Sequence, residues 1–549
     1  MGNRAGLGER ASGAAYVRAV PPTEAMSCSR SLSRHPRDPS TLTAKTHGRR
    51  GRFAGHPGRT ACGWRNHDSA TTTPSSDRAA PTRRGHHFRL QGRYAKAWLV
   101  LPGPIAASLN YSDFREKFLS INAPRSGAGS RPALVVAMAL CTLLMGCASS
   151  QSTAPPSELA SSGWSDASAL APVADFDAYV VDVKKELRAH RLPFDSSKAE
   201  AELAQVAPFR VPAGPGCPSA APRGIAILIH GLSDTAFAMR DLARSLARQC
   251  FESRVLLLPG HGTRPADLKM VDHNDWLTHA RAAVAQAAGE NELVVVAGFS
   301  LGAAVALTVA AESPGRVDAV IGVSPAYRIR SSTLARYAGW IAAFRPWLDS
   351  SPREEFARYA AMPMRGIVST VALLGAMDDR IGRQRALQTP WLVVQSDDDE
   401  VVDVVANRRF FEANAADPRS LLINYFSDQP GQTRSDRVIW LPAAHASMRV
   451  VGLSHRALHI SPDNPHYGLA GTYRNCGSTS FREERDIRAC LQAERLWYGV
   501  SGQSPPAGEA GARSTFNPHY ADLEQRIERF LDQVEGRRQD AVASHRSRP

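Results

Sequence analysis

The first candidate for chemistry is a serine between two glycines, in the stretch Gly298-Phe299-Ser300-Leu301-Gly302. A run of valines precedes the stretch and an alanine-rich run follows it, so we predict a strand, a tight turn and a helix. Such a turn holds the hydroxyl of Ser300 above the edge of a sheet and at the positive end of the helix dipole, and the glycines remove side chains that would clash there. The pattern G-x-S-x-G therefore predicts a nucleophilic serine.

The elements that must position this serine alternate between strands and helices. Short apolar runs predict buried strands, and most of the runs between them have apolar residues at helical spacing. The predicted strands are 223–232, 254–262, 293–297, 317–324 and 390–396, and the predicted helices are 176–187, 236–249, 274–288, 301–312, 403–413 and 520–530. Strands this apolar are typical of a parallel sheet covered by helices. Ligands of such sheets bind beyond the carboxyl ends of the strands, where Ser300 is expected.

Three motifs together resemble the α/β-hydrolase superfamily, in particular its lipase, carboxylesterase and monoacylglycerol-lipase-like members. They are His230-Gly231-Leu232, Leu258-Pro259-Gly260-His261-Gly262 and Gly298–Gly302, and the resemblance covers about residues 220–535. It implies the α/β-hydrolase fold, which has a mostly parallel central sheet, helices on both faces and an inserted helical cap. It also implies a triad in the order nucleophile, acid, histidine.

The resemblance implies that the triad acid follows a late strand. After the predicted strand 390–396 the chain reads Asp397-Asp398-Asp399-Glu400-Val401-Val402. The family acid usually stands two residues ahead of an aliphatic pair, which selects Asp399, with Asp397 and Asp398 as alternatives. An aspartate there would fix the tautomer of the catalytic histidine and stabilise the imidazolium that forms during attack.

The triad histidine has two main candidates. Residues 448–458 have the form of a last sheet strand that runs into Ser454-His455, which resembles the usual ending in the family. His455 is therefore the predicted histidine, and His445, which follows the apolar run 438–442, is the alternative. His459 and His466 are expected at the surface or packed in loops.

The oxyanion of an acyl transfer needs two N–H donors. By the family pattern these are the backbone amides of Leu301, just after the nucleophile, and of Leu232, just after His230-Gly231. His230 and His261 are expected to brace their turns by hydrogen bonds. Acyl transfer to water needs no organic cofactor, and no CxxC or paired-histidine spacing predicts a metal site.

The net charge of +14 arises outside the predicted hydrolase core. Residues 1–130 contain 21 Lys and Arg against 7 Asp and Glu, and the remainder contains 45 of each sign. Residues 1–118 are rich in Arg, His, Pro, Gly, Ser and Thr without apolar periodicity, which predicts a disordered basic extension. Because no folded basic face follows it, the sequence argues against nucleic acid as a partner.

Residues 119–147 resemble the signal peptide of a bacterial lipoprotein. Basic residues precede a mainly apolar run over 133–145 that contains no charged residue, and Leu144-Met145-Gly146-Cys147 resembles a lipobox. The resemblance implies diacylation of Cys147, cleavage just before it, and a lipid anchor in a bacterial cell envelope, at the outer membrane or its periplasmic face. Because such signals act at a true N-terminus, we expect the natural start at a non-Met codon near residues 119–135.

Four cysteines follow the predicted lipid site: Cys217, Cys250, Cys476 and Cys490. An even number in an oxidising compartment predicts disulfides. Three pairings exist, and we favour Cys217–Cys250 and Cys476–Cys490 because each closes a local loop. Free buried thiols are the alternative.

The sequence as a whole divides into seven predicted segments. They are the basic extension (1–118), the signal peptide (119–147), a linker (148–172), the first part of the hydrolase core (173–325), a helical cap (326–388), the second part of the core (389–535) and a disordered tail (536–549). The aromatic residues of the cap either line an acyl-chain pocket or pack the cap onto the core.

These observations predict a serine hydrolase that cleaves carboxylic esters through an acyl-enzyme. The predicted partners are a small-molecule or lipid ester substrate and, through the lipid anchor, a membrane. A peptidase or amidase of the same fold is one alternative, because a triad does not distinguish esters from amides. A catalytically inactive, hydrolase-like binding lipoprotein is the other.

Overall fold

The computed structural model describes residues 154–164, 175–217, 222–290, 293–330, 337–431, 435–477, 484–500, 503 and 505–546. The predicted basic extension and the predicted signal peptide with Cys147 lie outside the described residues. The predicted linker is described only over 154–164. Among the described residues, no helix combines the length and the apolar composition that crossing a bilayer requires.

Twelve strands are present in the described part of the chain. Their bounds are β1 Phe209–Val211, β2 Gly224–Ile229, β3 Phe251–Val255, β4 Leu293–Phe299, β5 Ala319–Val323, β6 Trp347–Asp349, β7 Met362–Pro363, β8 Trp391–Ser396, β9 Leu421–Phe426, β10 Val438–Pro442, β11 Trp497–Gly499 and β12 Gly511–Arg513. Eight of them form the central sheet in the order β1-β3-β2-β4-β5-β8-β9-β10. β1 is antiparallel to β3, and every other neighbouring pair of this sheet is parallel.

Eleven α-helices are found in the same described part of the chain. Their bounds are α1 Pro156–Leu159, α2 Phe176–His190, α3 Ala199–Val206, α4 Arg240–Arg248, α5 His273–Gly289, α6 Leu301–Glu312, α7 Ala338–Phe344, α8 Met364–Gln384, α9 Val404–Asn414, α10 Glu484–Gln492 and α11 Tyr520–Arg546. The sequence predictions for α2, α5, α6 and α9 are confirmed to within three residues. α11 runs past residue 535, where the sequence predicts a disordered tail.

The sheet is covered on both faces, and this explains its apolar strands. β2, β4, β5 and β8 are buried along their whole length. Side chains of α2, α5, α6 and α8 build the core on one face, and side chains of α4 and α11 build the core on the other. Such a mostly parallel sheet between two helical layers is the α/β-hydrolase fold that the sequence predicts.

Helix α6, which directly follows Ser300, is the most deeply buried helix of the core. All residues from Leu301 to Ala311 are buried. The helix is apolar on every side because it packs on β4 and β5 and is covered in turn by α5 and α8. Burial on all sides fixes the position of the N-terminus of α6, and therefore of the serine that precedes it.

The segment 326–388 lies between β5 and β8 and contains both helices and strands. It contains α7, the antiparallel pair β6 and β7, and the long helix α8, which packs against α6. Tyr359 and Leu373 are buried and pack this segment onto the core. Trp340 and Phe344 on α7 are 77% and 87% exposed, so these two aromatic residues do not pack the segment onto the core.

The predicted last strand at 448–458 is wrong. The strand at the sheet edge is β10, and Val450 and Val451 pair instead with Tyr498 in a later segment. Apolar spacing predicted an extended chain here but did not identify its partner, because Tyr498 is distant in the sequence. His455 consequently stands in a turn that follows this non-sheet segment.

Both favoured cysteine pairings are present in the structure. Cys217 is bonded to Cys250, and Cys476 is bonded to Cys490. The first closes a loop with a sequence separation of 33 residues and ties the segment before β2 to the start of β3. The second closes a shorter loop, with a sequence separation of 14 residues, in the region between His455 and α11.

We expect the Cys217–Cys250 disulfide to stabilise the fold mainly by restricting the unfolded chain. The free energy of unfolding of the variant Cys217→Ala/Cys250→Ala should be about 4 kcal/mol lower than that of the oxidised wild type. Urea unfolding followed by circular dichroism measures this difference. The variant Cys476→Ala/Cys490→Ala is the matched control, and its shorter loop predicts a smaller loss. Equal stability of the wild type and the first variant would contradict the prediction.

Candidate active site

Ser300 stands in a strained turn between β4 and α6. Its backbone has φ 53° and ψ −113°, a conformation that a non-glycine residue adopts only when its surroundings enforce it. A Cβ on Gly302 would overlap the carbonyl oxygens of Ile229 and His230, and a Cβ on Gly298 would overlap the main chain of Gly302. Only glycine therefore fits at both positions. The side chains around the turn leave Ser300 9% exposed.

The structure brings the three predicted triad residues into contact. His455 Nε2 lies 2.9 Å from Ser300 Oγ, and His455 Nδ1 lies 2.6 Å from Asp399 Oδ2. Asp399 is fully buried and His455 is 5% exposed. An Nδ1–H that donates to the carboxylate leaves the Nε2 lone pair directed at the serine hydroxyl, which is the arrangement that permits transfer of the serine proton to the imidazole.

Asp399 is held by the turn that follows β8. Its Oδ1 accepts the backbone N–H groups of Val401 at 2.8 Å and Val402 at 3.0 Å. These two bonds orient the carboxylate so that Oδ2 faces His455. The aliphatic pair that selected Asp399 in the sequence therefore supplies the two amides that fix its side chain.

The alternative acids have other contacts. Asp398 Oδ2 accepts the hydroxyl of Ser427 at 2.6 Å and the N–H of Leu453 at 3.0 Å, and burial raises the pKa of Asp398. Asp397 lies near Arg408. Asp398 thus ties the acid turn to the chain just before His455, while Asp399 makes the direct contact with the imidazole.

The alternative histidines are also elsewhere. His445 Nδ1 accepts the N–H of Met448, and its ring packs on His519. His466 contacts Glu355. His459 is packed in a loop, one of the two settings expected for it, and is buried there: its ring centroid lies 4.1 Å from that of Phe299, and neither ring nitrogen has a hydrogen-bond partner among the described residues.

Burial lowers the pKa of His459 to about 3, so its imidazole is neutral. The neutral imidazole of His459 stacks on the ring of Phe299, the residue before Ser300. The two rings therefore pack together beside the turn of Ser300.

The turn after β2 lies directly against the nucleophile turn, because Gly302 abuts the carbonyls of Ile229 and His230. His230 Nε2 accepts the N–H of Leu258 at 3.0 Å, which leaves Nδ1 to donate to the carbonyl of Gly231 at 2.8 Å. Burial keeps the pKa of His230 well below its usual value. A neutral His230 therefore braces this turn, as expected from the sequence.

His261 braces the same turn from the other side. Its Nε2 donates to the carbonyl of Leu232 at 2.6 Å, and burial lowers its pKa. The carbonyl of Leu232 is thereby held on the His261 side.

Among the described residues, no group of three or more His, Cys, Asp or Glu side chains is arranged to hold a metal ion.

Sequence patterns missed the residues that support the histidine from a distant segment. Ser454 donates its N–H to Ser514 Oγ and its hydroxyl to the carbonyl of Ser514, both at 2.7 Å. Arg513 forms an ion pair with Glu400, whose carboxylate also accepts the N–H of His455 at 3.4 Å. No periodicity or motif connects these positions, because they meet only in the folded chain.

The chain is similar in sequence to known hydrolases. Residues 220–424 match the family described as serine aminopeptidase, S33. A monoacylglycerol lipase of Mycolicibacterium smegmatis is 26% identical over 244 residues, which cover 40% of this chain and 86% of that protein. A thermostable monoacylglycerol lipase of a Bacillus species is 23% identical over 182 residues, covering 32% of this chain and 70% of that protein.

Solved structures with similar coordinates include lipolytic enzymes. One is a structure from work on LipS and LipT, two metagenome-derived lipolytic enzymes, and it is 18% identical to this chain. The match covers 44% of this chain and 88% of the chain in that structure, with a TM-score of 0.34. A soluble variant of monoglyceride lipase from Saccharomyces cerevisiae is 16% identical, covers 40% and 82% respectively, and has a TM-score of 0.34.

The sheet order and the sequence relatives agree on the fold and on the kind of enzyme. The parallel sheet has the predicted serine turn at the carboxyl end of a central strand, and the family match spans the strands on both sides of it. The chain has the α/β-hydrolase fold, is similar to monoacylglycerol lipases, and is a serine ester hydrolase.

Proposed function

We propose that Ser300, His455 and Asp399 form the catalytic triad of this hydrolase. The observation that carries the proposal is the pair of contacts through His455, 2.9 Å to Ser300 Oγ and 2.6 Å to Asp399 Oδ2. In this mechanism Ser300 Oγ attacks the ester carbonyl carbon while His455 Nε2 takes the hydroxyl proton. The electron pair of the C=O bond moves to the oxygen, which becomes an oxyanion.

Collapse of the tetrahedral intermediate completes the first half of the reaction. The ester C–O bond breaks, the alcohol takes the proton from His455, and the acyl group remains on Ser300. Water then attacks the acyl-enzyme with His455 again as the base, and the carboxylic acid leaves. Asp399 stabilises the imidazolium in both halves, and its two backbone hydrogen bonds keep it in the acceptor orientation.

The backbone N–H groups of Leu232 and Leu301 are the proposed oxyanion donors. Leu301 is the first residue of α6, where the N–H groups point away from the helix without intrahelical acceptors. Leu232 follows the turn that packs on Gly302, and His261 binds its carbonyl. The carbonyl of Gly231 shares a peptide with the Leu232 N–H. It accepts hydrogen bonds from His230 Nδ1 at 2.8 Å and from the Asp234 N–H at 3.1 Å, and these contacts support the assignment because they orient that peptide.

The proposed substrate is a lipid monoester with an apolar acyl chain, such as a monoacylglycerol. The names of the two sequence relatives support this class. The second candidate is a peptide or amide bond, which the description of the matched family as a serine aminopeptidase favours. We also propose that Cys147 carries a lipid anchor that holds the enzyme at the bacterial cell envelope, on the strength of the lipobox-like sequence.

Loss of the nucleophile should abolish hydrolysis. Ser300→Ala should lower kcat for a short-chain ester on the order of 10⁴-fold or more and prevent labelling by a fluorophosphonate probe, and Asp399→Asn should lower kcat on the order of 10⁴-fold. Ser313→Ala, at the other end of α6, and Asp397→Asn are the matched controls, and both should keep near wild-type rates. Fluorophosphonate labelling of Ser300→Ala, or full activity of Asp399→Asn, would contradict the triad.

Substrate class is tested by comparing turnover on three compounds. We expect kcat/KM for 1-monooleoylglycerol to exceed that for an aminoacyl p-nitroanilide by a wide margin, with a short-chain p-nitrophenyl ester also cleaved. The physical reason is that the acyl chain of the monoacylglycerol adds apolar surface that can be buried beside Ser300. Faster cleavage of the anilide would favour the peptidase candidate.

The anchor is tested by mass spectrometry of the chain expressed in a Gram-negative host. The expected product begins at Cys147 and carries the added mass of the acyl groups. Cys147→Ser is the control and should leave the protein without lipid. A wild-type product that retains residues before Cys147 without acylation would contradict the anchor.

A further inference from the structure

A second cluster of charged groups includes the residue that follows His455. Its side chains are at most 14% exposed. The members are Asp234, Glu355, Arg358, Arg456, His466 and Tyr467. None of them belongs to the proposed triad, yet Arg456 is the residue immediately after the triad histidine.

Arg456 is the centre of this cluster, because its guanidinium contacts three other segments. Its Nη2 donates to Asp234 Oδ1 at 2.8 Å and to the hydroxyl of Tyr467 at 3.2 Å, and its Nη1 lies 3.5 Å from Glu355 Oε1. The turn of His455 is thereby connected to the turn after β2 and to the segment 326–388.

Asp234 connects Arg456 to the turn of Leu232, whose N–H is a proposed oxyanion donor. Its N–H donates to the carbonyl of Gly231 at 3.1 Å, which closes a tight turn around Leu232. Its carboxylate also packs on Gly231, where an added Cβ would lie 2.7 Å from Asp234 Oδ2. Asp234 thus contacts the peptide that carries the Leu232 N–H through its main chain and lies close to Gly231 through its carboxylate.

Glu355 fixes the other end of the cluster. It accepts hydrogen bonds from the Tyr467 hydroxyl at 2.6 Å, from Arg358 Nε at 2.9 Å, and it lies 3.1 Å from His466 Nε2. Burial alone would raise its pKa, but the hydrogen bond from His466 and the charges of Arg456 and Arg358 hold it at about 2. Glu355 is thus a permanent anion, and two arginines and two carboxylates balance the buried charge.

We propose that Arg456 is a positioning residue that sets the Leu232 amide against the turn of His455 through its ion pair with Asp234. The inference rests on the proposed function, because it assigns Leu232 N–H to the oxyanion. An arginine suits this task because its planar guanidinium reaches Asp234, Tyr467 and Glu355 with fixed geometry. A lysine would supply the charge without that geometry.

The experiment compares Arg456→Met, Arg456→Lys and Asp234→Asn with the wild-type full-length chain. Each variant should lower kcat about 10- to 100-fold and leave KM within about threefold, because misplacement of one oxyanion donor weakens the transition state more than the bound substrate. Affinity for a trifluoromethyl ketone, which forms an oxyanion adduct on Ser300, should fall by the same factor as kcat. The double variant Arg456→Met/Asp234→Asn should be no slower than the slower single variant.

Arg254→Met is the matched control for loss of a buried ion pair. Arg254 has a side chain 7% exposed and pairs with Glu252 and Glu290 on β3 and after α5. It should lower the melting temperature measured by circular dichroism while kcat and ketone affinity stay unchanged. If Arg456→Met fails to fold, Arg456→Lys and Asp234→Asn carry the test.

The inference is wrong if the folded variants keep wild-type kcat and ketone affinity, or if kcat falls without an equal fall in ketone affinity. In both cases the wild type still hydrolyses esters and labels at Ser300, so the proposed function stands. A wild type that neither hydrolyses esters nor reacts with the fluorophosphonate overturns the proposed function and this inference together.

Discussion

The close approach of two main-chain turns is the constraint on which the rest of the site depends. The first turn of α6 lies against the carbonyls of Ile229 and His230, with no room for a side chain on Gly302. This approach forces Ser300 to φ 53° and directs its hydroxyl toward His455. It also places the Leu232 turn beside the start of α6. Strain at one residue is thus sustained by the packing of an entire buried helix against the sheet.

Hydrogen-bond partners determine which histidine is placed to act as a base. His230, His261 and His459 are buried, and burial lowers the pKa of each, so that all three are neutral. The first two use their ring nitrogens to hold main-chain groups, and the third packs on Phe299. His455 differs because one nitrogen faces a carboxylate and the other faces a hydroxyl. Partners rather than burial distinguish it from the others.

The segment between His455 and α11 acts as part of the site rather than as a peripheral addition. Ser514 holds the residue before His455, and Arg513 pairs with Glu400 beside it. Tyr467 and His466 hold Glu355 of the segment 326–388, which in turn contacts Arg456. The Cys476–Cys490 disulfide closes a loop within this segment. The histidine is therefore supported from both sides by chain that follows it.

The sequence by itself determined the parallel sheet and the turn of Ser300, and it favoured Asp399 over Asp397 and Asp398 as the partner of the histidine. Strand burial, the glycines around Ser300 and the aliphatic pair after Asp399 are local patterns, because each depends on neighbours within a few residues. The tertiary structure alone decided that His455 and not His445 meets Ser300, that His459 is buried, and that β10 rather than 448–458 is the last strand. These outcomes depend on contacts between distant segments, such as Val451 with Tyr498 and Arg456 with Asp234. Such contacts produce no pattern of residue types along the chain, so the sequence alone does not predict them.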